Sequence, residues 1–138
     1  MLTIDIIEGC NFECYFCPAK DISKNYYMEL DLFKRIILEA KELGITVVDL
    51  VPLRGEPFLH PDFYEMLDFS NRHMKEVQVI TNISAANIVR LKEVNLSNTH
   101  LTVSYYGATP EKFKEMTGRN IGLFNIVHKK LDELKEHN

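Results

Sequence analysis

The chain has 138 residues, 46% of them hydrophobic, with a formal net charge of -4 and a pI near 5.7. That length is enough for one domain with a buried core, or for part of one, and the acidic balance excludes an electrostatic footprint for nucleic acid or for an anionic membrane. No apolar run reaches the length of a membrane span and the N-terminus lacks the charged-then-apolar pattern of a signal peptide, so a cytoplasmic protein is expected.

Leu2 to Glu8, rich in β-branched residues, reads as a first strand that Gly9 ends. All three cysteines follow at once, in Cys10-Asn11-Phe12-Glu13-Cys14-Tyr15-Phe16-Cys17. Pro18 to Met28 is polar and irregular. From Asp31, a candidate N-cap, a helical period carries Phe33, Ile36, Ile37, Ala40 and Leu43 on one side, with Gly44 as the stop. Ile45 to Val51 is a continuous β-rich run, as expected for a strand covered on both sides or closed into a barrel. Arg54 to Pro57 forms the loop after it. A second helix is expected near Pro61, turning Phe63, Met66, Leu67 and Met74 inward, with His60 in the turn before it.

The alternation continues with a strand at Val77–Thr81, a short helix capped by Ser84, and a fourth strand at Leu101–Tyr105. Thr109-Pro110 opens a helix carrying Phe113 and Met116. Phe124, Val127, Leu131 and Leu134 then mark a last amphipathic helix. Strand and helix alternate throughout, which predicts an α/β fold with a parallel sheet and right-handed crossovers.

A C-x3-C-x2-C run places three thiolates on one short loop at the carboxyl end of a strand, where parallel α/β barrels carry their chemistry. Iron-sulfur clusters are normally held by such thiolates, and three of them would leave the fourth iron of a cubane free for a small molecule. Two other readings stand beside this. Structural zinc takes four ligands, so a zinc site here needs His60 or another histidine. A disulfide leaves one thiol over, and the expected compartment is reducing.

The run, with an aromatic residue just before its last cysteine, resembles the cluster motif of the radical S-adenosylmethionine (radical SAM) superfamily. Leu53-Arg54-Gly55-Glu56-Pro57 resembles that family's GGEP motif, and Phe58-Leu59-His60-Pro61-Asp62-Phe63 resembles the segment after it. Ile80-Thr81-Asn82 and Val103-Ser104 fall where the family places polar residues at strand ends, and Thr117-Gly118-Arg119 is similar to a recurring family segment. The likeness covers nearly the whole chain and is nearest the branch that holds SPASM-type peptide maturases and the enzyme of early molybdenum-cofactor synthesis.

The resemblance implies a [4Fe-4S] cluster on Cys10, Cys14 and Cys17, with S-adenosylmethionine (SAM) chelating the remaining iron. It implies a reductant such as flavodoxin or ferredoxin, and a peptide or small molecule as substrate. The expected cofactor-binding residues are Phe16, Gly55, Glu56, Pro57, Asn82 and Ser104. Gly55, lacking a Cβ, would let backbone approach the methionine end of SAM, and Glu56 would accept a hydrogen bond from its ammonium group. Asn82 and Ser104 would reach the ribose or carboxylate, or else satisfy turn backbone. Phe16 would press on the cluster or adenine. Arg54 departs from the family's first glycine and would add charge beside the cofactor, while Ile83 stands where relatives often have glycine. Tyr105 and Tyr106 are candidate substrate contacts, although packing roles suit them as well, and Arg119 is either an anion ligand or a solvated helix-end residue. No catalytic residue is assigned beyond the cluster ligands.

A full eight-unit barrel takes about 250 residues and the family it resembles uses about six strand-helix units, whereas this sequence supplies about four. The expectation is a partial parallel (β/α) barrel over residues 1–138, read as the N-terminal portion of a core domain; either the chain is a truncated portion, or a partner chain or second copy covers the open edge. The rival expectation is a non-catalytic iron-sulfur or SAM-binding subunit, or an electron carrier.

Overall fold

The computed structural model describes residues 1–17, 24–51 and 53–135. Four strands form one parallel sheet in the order β1 (Leu2–Thr3), β4 (Val47–Asp49), β5 (Glu76–Thr81) and β6 (Thr99–Val103). Between and after them run α1 (Leu30–Glu42), α2 (Phe63–His73), α3 (Ile88–Glu93), α4 (Pro110–Thr117) and α5 (Ile121–Lys135). This is the expected α/β alternation.

The first strand is not continuous. Leu2–Thr3 joins the sheet, but β2 (Ile7–Glu8) swings out and pairs antiparallel with β3 (Tyr26–Tyr27). The cause is visible in the sequence: Ile6 and Ile7 are both buried, and consecutive buried residues cannot lie on one face of a flat strand. Gly9 then makes an isolated parallel bridge to Gly55, in the turn after β4. The stretch read as irregular therefore contributes a strand at its end, while residues 18–23 of it lie outside the described residues.

Helix α1 buries Phe33, Ile37 and Ala40, at spacings of four and three. Its N-cap is Glu29 rather than Asp31; Asp31 sits in the first turn, where a carboxylate still favours the helix dipole. Leu43, expected on the buried side, is the C-cap residue and is 79% exposed because the helix has ended beneath it. Gly44 takes φ 77° as the stop. A 3-10 turn at Pro57–Leu59 precedes α2, whose Phe63, Met66 and Leu67 are buried together with Met74 just beyond it. Thr109 caps α4 as expected, accepting from Lys112 N. Helix α3 is capped by Asn87, which accepts from Arg90 N, not by Ser84, whose hydroxyl is drawn into the site described below.

Strand β4 alternates in burial, contrary to the expectation of a strand covered on both faces. Val48 and Leu50 are fully buried with Val77 and Val79, whereas Asp49 is only partly buried and Ile80 is exposed. Register aligns Thr3, Asp49, Gln78 and His100 in one row across four strands on this less covered, polar face.

Candidate functional site

The carboxyl ends of the parallel strands enclose a cavity of about 170 Å³. Cys10, Cys14 and Cys17 line it together with Phe12, Phe16, Gly55, Glu56, Asn82, Ser104 and Tyr106, so every expected site residue except Pro57 meets in one place. Pro57 is buried at the start of the 3-10 turn behind the wall. Val51, Leu53, Ile80 and Thr81 complete the lining.

The cysteine loop is fastened at three points. Gly9 N donates to Arg54 O and Glu56 N donates to Gly9 O, both at 2.9 Å, which joins the loop to the Gly55-Glu56 turn. Cys17 N donates to Cys14 O at 3.0 Å and closes a turn inside the loop. Glu13 N donates to Thr117 O at 2.9 Å, and the Glu13 carboxylate pairs with Arg119 at 3.0 Å. The Thr117-Gly118-Arg119 segment is thus a bracket for the cysteine loop. Arg119 does not line the cavity; it follows the C-cap of α4, partly exposed and paired with Glu13.

Glu56 is 2% exposed. Its Oε1 accepts from the Thr81 hydroxyl at 2.5 Å and from Phe58 N at 3.2 Å, and its Oε2 accepts from Asn82 N at 2.7 Å. Three protein donors already hold the carboxylate, which ties the turn after β4 to the end of β5. Burial nevertheless pushes the carboxyl up to about 6. Arg54 turns away and pairs with Glu8 at 2.5 Å, so its charge does not line the cavity.

Asn82, Asn11 and Ser84 form a closed ring. Asn82 Nδ2 donates to Asn11 Oδ1 at 3.1 Å, Asn11 Nδ2 donates to Ser84 Oγ at 2.8 Å, and Ser84 Oγ donates to Asn82 Oδ1 at 2.6 Å. Between Asn82 and Ser84 the chain reverses at Ile83, fully buried with φ 61°, a region that β-branched residues rarely enter. Lys130 of α5 donates to Ser84 O at 2.5 Å and holds the turn from outside. Sequence reasoning missed Asn11, Ser84 and Lys130 as members of the site. The isoleucine in place of glycine was the only trace of the turn that gathers them.

Phe16, 51% exposed, packs against Tyr106 with centroids 5.7 Å apart, and Phe12 packs edge-on to Tyr106 at 6.1 Å. Tyr106 is therefore part of an aromatic wall, whereas Tyr105 leans outward against His128 at 5.6 Å between ring centroids. Ser104 N donates to Thr81 O at 2.8 Å, extending the β5–β6 ladder, and its side chain lines the cavity.

The donor set fits an iron-sulfur cluster. Burial, then the neighbouring Cys10 and Cys17, push the Cys14 thiol up to about 11, and burial raises Cys10 as well. No lysine or arginine lines the cavity among the described residues, so three thiolates there call for a cationic core. No three His, Cys, Asp or Glu side chains among the described residues are grouped to hold a single metal ion; a cluster, whose irons each take one thiolate, does not need that convergence. His60 is not free to complete a zinc site: its Nδ1 accepts from Asp62 N and its Nε2 faces Met28 O, both at 3.0 Å. It is a turn residue, as expected.

Fold and site together define an α/β protein with a thiol-lined cavity at the carboxyl edge of a parallel sheet. Residues 4–138 match the model of the Radical SAM superfamily, and the chain belongs to that superfamily. It is 26% identical over 135 residues to the GTP 3',8-cyclase of Aquifex aeolicus, covering 91% of this chain and 41% of that protein. It is 29% identical over 143 residues to a probable GTP 3',8-cyclase of Methanosarcina acetivorans, covering 98% and 41%. The chain thus spans about two fifths of the length of the curated relatives it matches. In fold it resembles Streptococcus suis SuiB bound to S-adenosylmethionine, with a TM-score of 0.76 and 19% identity over 97% of this chain and 31% of that one. It also resembles anSMEcpe with bound AdoMet, with a TM-score of 0.74 and 18% identity over 98% and 40%. No helix among the described residues is long and apolar enough to cross a membrane.

Proposed function

We propose that this chain is the cofactor-binding portion of a radical SAM enzyme, acting on a peptide or small-molecule substrate and reduced by a flavodoxin or ferredoxin. The observation that carries the reading is the meeting of Cys10, Cys14 and Cys17 with Gly55, Glu56, Asn82 and Ser104 around one cavity. When bound, a [4Fe-4S] cluster would supply one electron to the sulfonium of SAM, whose carbon-sulfur bond breaks to give methionine and a 5'-deoxyadenosyl radical that takes hydrogen from substrate.

The chain's own residues prepare that chemistry. Cys10, Cys14 and Cys17 would hold one iron each as thiolates; burial raises the proton affinity of Cys10 and Cys14, so loading the cluster releases protons from them. The Gly9–Gly55 bridge sets the loop against the turn that would receive the methionine end of SAM. Phe12, Phe16 and Tyr106 wall the cavity with aromatic surface. Glu56 acts as the internal strut between the two turns, with one lone pair of Oε2 left for a donor from SAM.

The test is electron paramagnetic resonance (EPR) on anaerobically reconstituted, dithionite-reduced protein with and without SAM. A [4Fe-4S]+ signal that changes with SAM and is lost in Cys14→Ala is the expected result. Failure to assemble a cluster, or the same iron and sulfide content in Cys14→Ala, overturns it. One alternative is a non-catalytic iron-sulfur or SAM-binding subunit. Release of 5'-deoxyadenosine under reducing conditions separates the two.

A further inference from the structure

We propose that Asn82 raises the reduction potential of the cluster by donating a side-chain N–H to the Cys10 sulfur, and that it is not a ligand of the nucleoside. The inference rests on the reading of Cys10 as a cluster thiolate.

Asn82 follows the last residue of β5 and is 5% exposed. Its Nδ2 lies 3.7 Å from Cys10 Sγ and 3.1 Å from Asn11 Oδ1. Its Oδ1 accepts from Ser84 N at 2.9 Å and from Ser84 Oγ at 2.6 Å. A carboxamide offers two donors and two acceptor lone pairs, and all four are used inside the protein. Nothing remains for a ribose hydroxyl or a carboxylate.

The same contacts fix which way the amide points. Turning it over would set Nδ2 against the Ser84 N–H and Oδ1 against both Asn11 Oδ1 and the sulfur, one donor-donor and two acceptor-acceptor clashes in a buried place. The donor therefore faces Cys10. Its backbone is held as firmly: Asn82 N–H is taken by Glu56 at 2.7 Å, the turn is reversed at Ile83, and Lys130 holds Ser84 O. Asn11, the neighbour of Cys10, closes the ring with Ser84, so sulfur and donor are held by one network.

Hydrogen bonds to cluster sulfurs and burial are levers on the reduction potential. Reduction adds negative charge to the cluster, an N–H dipole aimed at a ligand sulfur stabilises that charge, and the low dielectric of a buried site strengthens the effect. Phe12 N also points at Cys10 Sγ, at 3.4 Å, but it is backbone within the loop and any residue there supplies it. Among the described residues Asn82 is the side-chain donor to that sulfur, and so the one that substitution can remove.

The experiment is an EPR-monitored redox titration of the anaerobically reconstituted full chain, comparing wild type with Asn82→Leu, which keeps the shape and removes the donor. A more negative midpoint in the variant is expected. An unchanged midpoint overturns the proposal, as does a tenfold loss of SAM affinity with the midpoint unmoved, which returns Asn82 to the nucleoside. Should Asn82→Leu fail to load, wild-type protein carrying asparagine labelled with 15N in its side chain decides the matter by pulsed EPR. Hyperfine coupling to that nitrogen is expected, and its absence overturns the proposal. Wild type that assembles no [4Fe-4S] cluster overturns both this inference and the function on which it rests, whereas a cluster with an unmoved midpoint overturns this inference alone.

Discussion

Gly9 and Gly55 face each other across a lone parallel bridge, and through it the cysteine loop is tied to the turn after β4. Gly9 takes φ 135°, and a Cβ placed on it would stand 1.9 Å from Asn25 Oδ1. Gly9→Ala therefore meets both a backbone conformation that side chains avoid and a steric overlap. We expect a loss of more than about 2 kcal/mol by urea unfolding. Adding Asn25→Ala should recover only part of it, because the overlap with Oδ1 goes while the backbone strain and a tight 3.2 Å approach to Asn25 Cβ stay. Full recovery would mean that φ at this position is freely relaxed.

Glu56 provides a pH signature. Burial raises its carboxyl from 4.5 to about 6 in the folded chain. The folded state then binds the proton more tightly than the unfolded state, so stability present below pH 4.5 is lost as pH rises to about 6 and is constant above. At 1.36 kcal/mol per unit the change is about 2 kcal/mol. Urea unfolding of cluster-free protein should show the stability difference between wild type and Glu56→Gln falling by that amount across the window. A flat difference would show that the three donors hold the carboxylate ionised at its ordinary value.

At Ile83 the usual order of two substitutions should invert. Alanine is ordinarily the better tolerated replacement inside a fold, but φ 61° costs an L-residue about 1–2 kcal/mol that glycine does not bear. Both variants lose the fully buried side chain. Ile83→Gly should therefore be about 1 kcal/mol more stable than Ile83→Ala, measured by denaturant midpoints at equal slope. The opposite order would mean that the turn has another conformation available.

The bracket around Glu13 makes a further distinction. The Arg119–Glu13 ion pair is partly exposed, and such pairs contribute about 0–1 kcal/mol. Gly118, at φ 69°, terminates α4, and a Cβ there would lie 3.2 Å from Glu13 Cβ. Gly118→Ala should cost about 1–2 kcal/mol and loosen the cysteine loop, whereas Arg119→Ala stays below about 1 kcal/mol. Thermal unfolding and the rate of alkylation of Cys14 measure the two effects. Equal effects of both substitutions would assign the bracket to charge rather than to backbone shape.

The sequence by itself determined the alternation of strands and helices, because hydrophobic period is a local property that α1, α2 and α5 display in their own residues. It also determined the loop that carries the chemistry, since three thiols within eight residues are neighbours whatever the fold does. Only the tertiary structure decided what each polar residue is for. Glu56 and Asn82 were legible as residues at strand ends, but not that each spends its hydrogen-bonding capacity on the other's neighbourhood. Ser84 looked like a helix cap because caps are recognised from adjacent sequence, while its partners Asn11 and Lys130 come from 73 and 46 residues away. Arg54 and Arg119 carry charges that sequence places near the site, yet Glu8 and Glu13 pair with them and neither side chain lines the cavity. A hydrogen bond has a direction and a reach of about 3 Å, and which donor meets which acceptor at that range is settled by packing between elements distant in the chain, not by the order of residues along it.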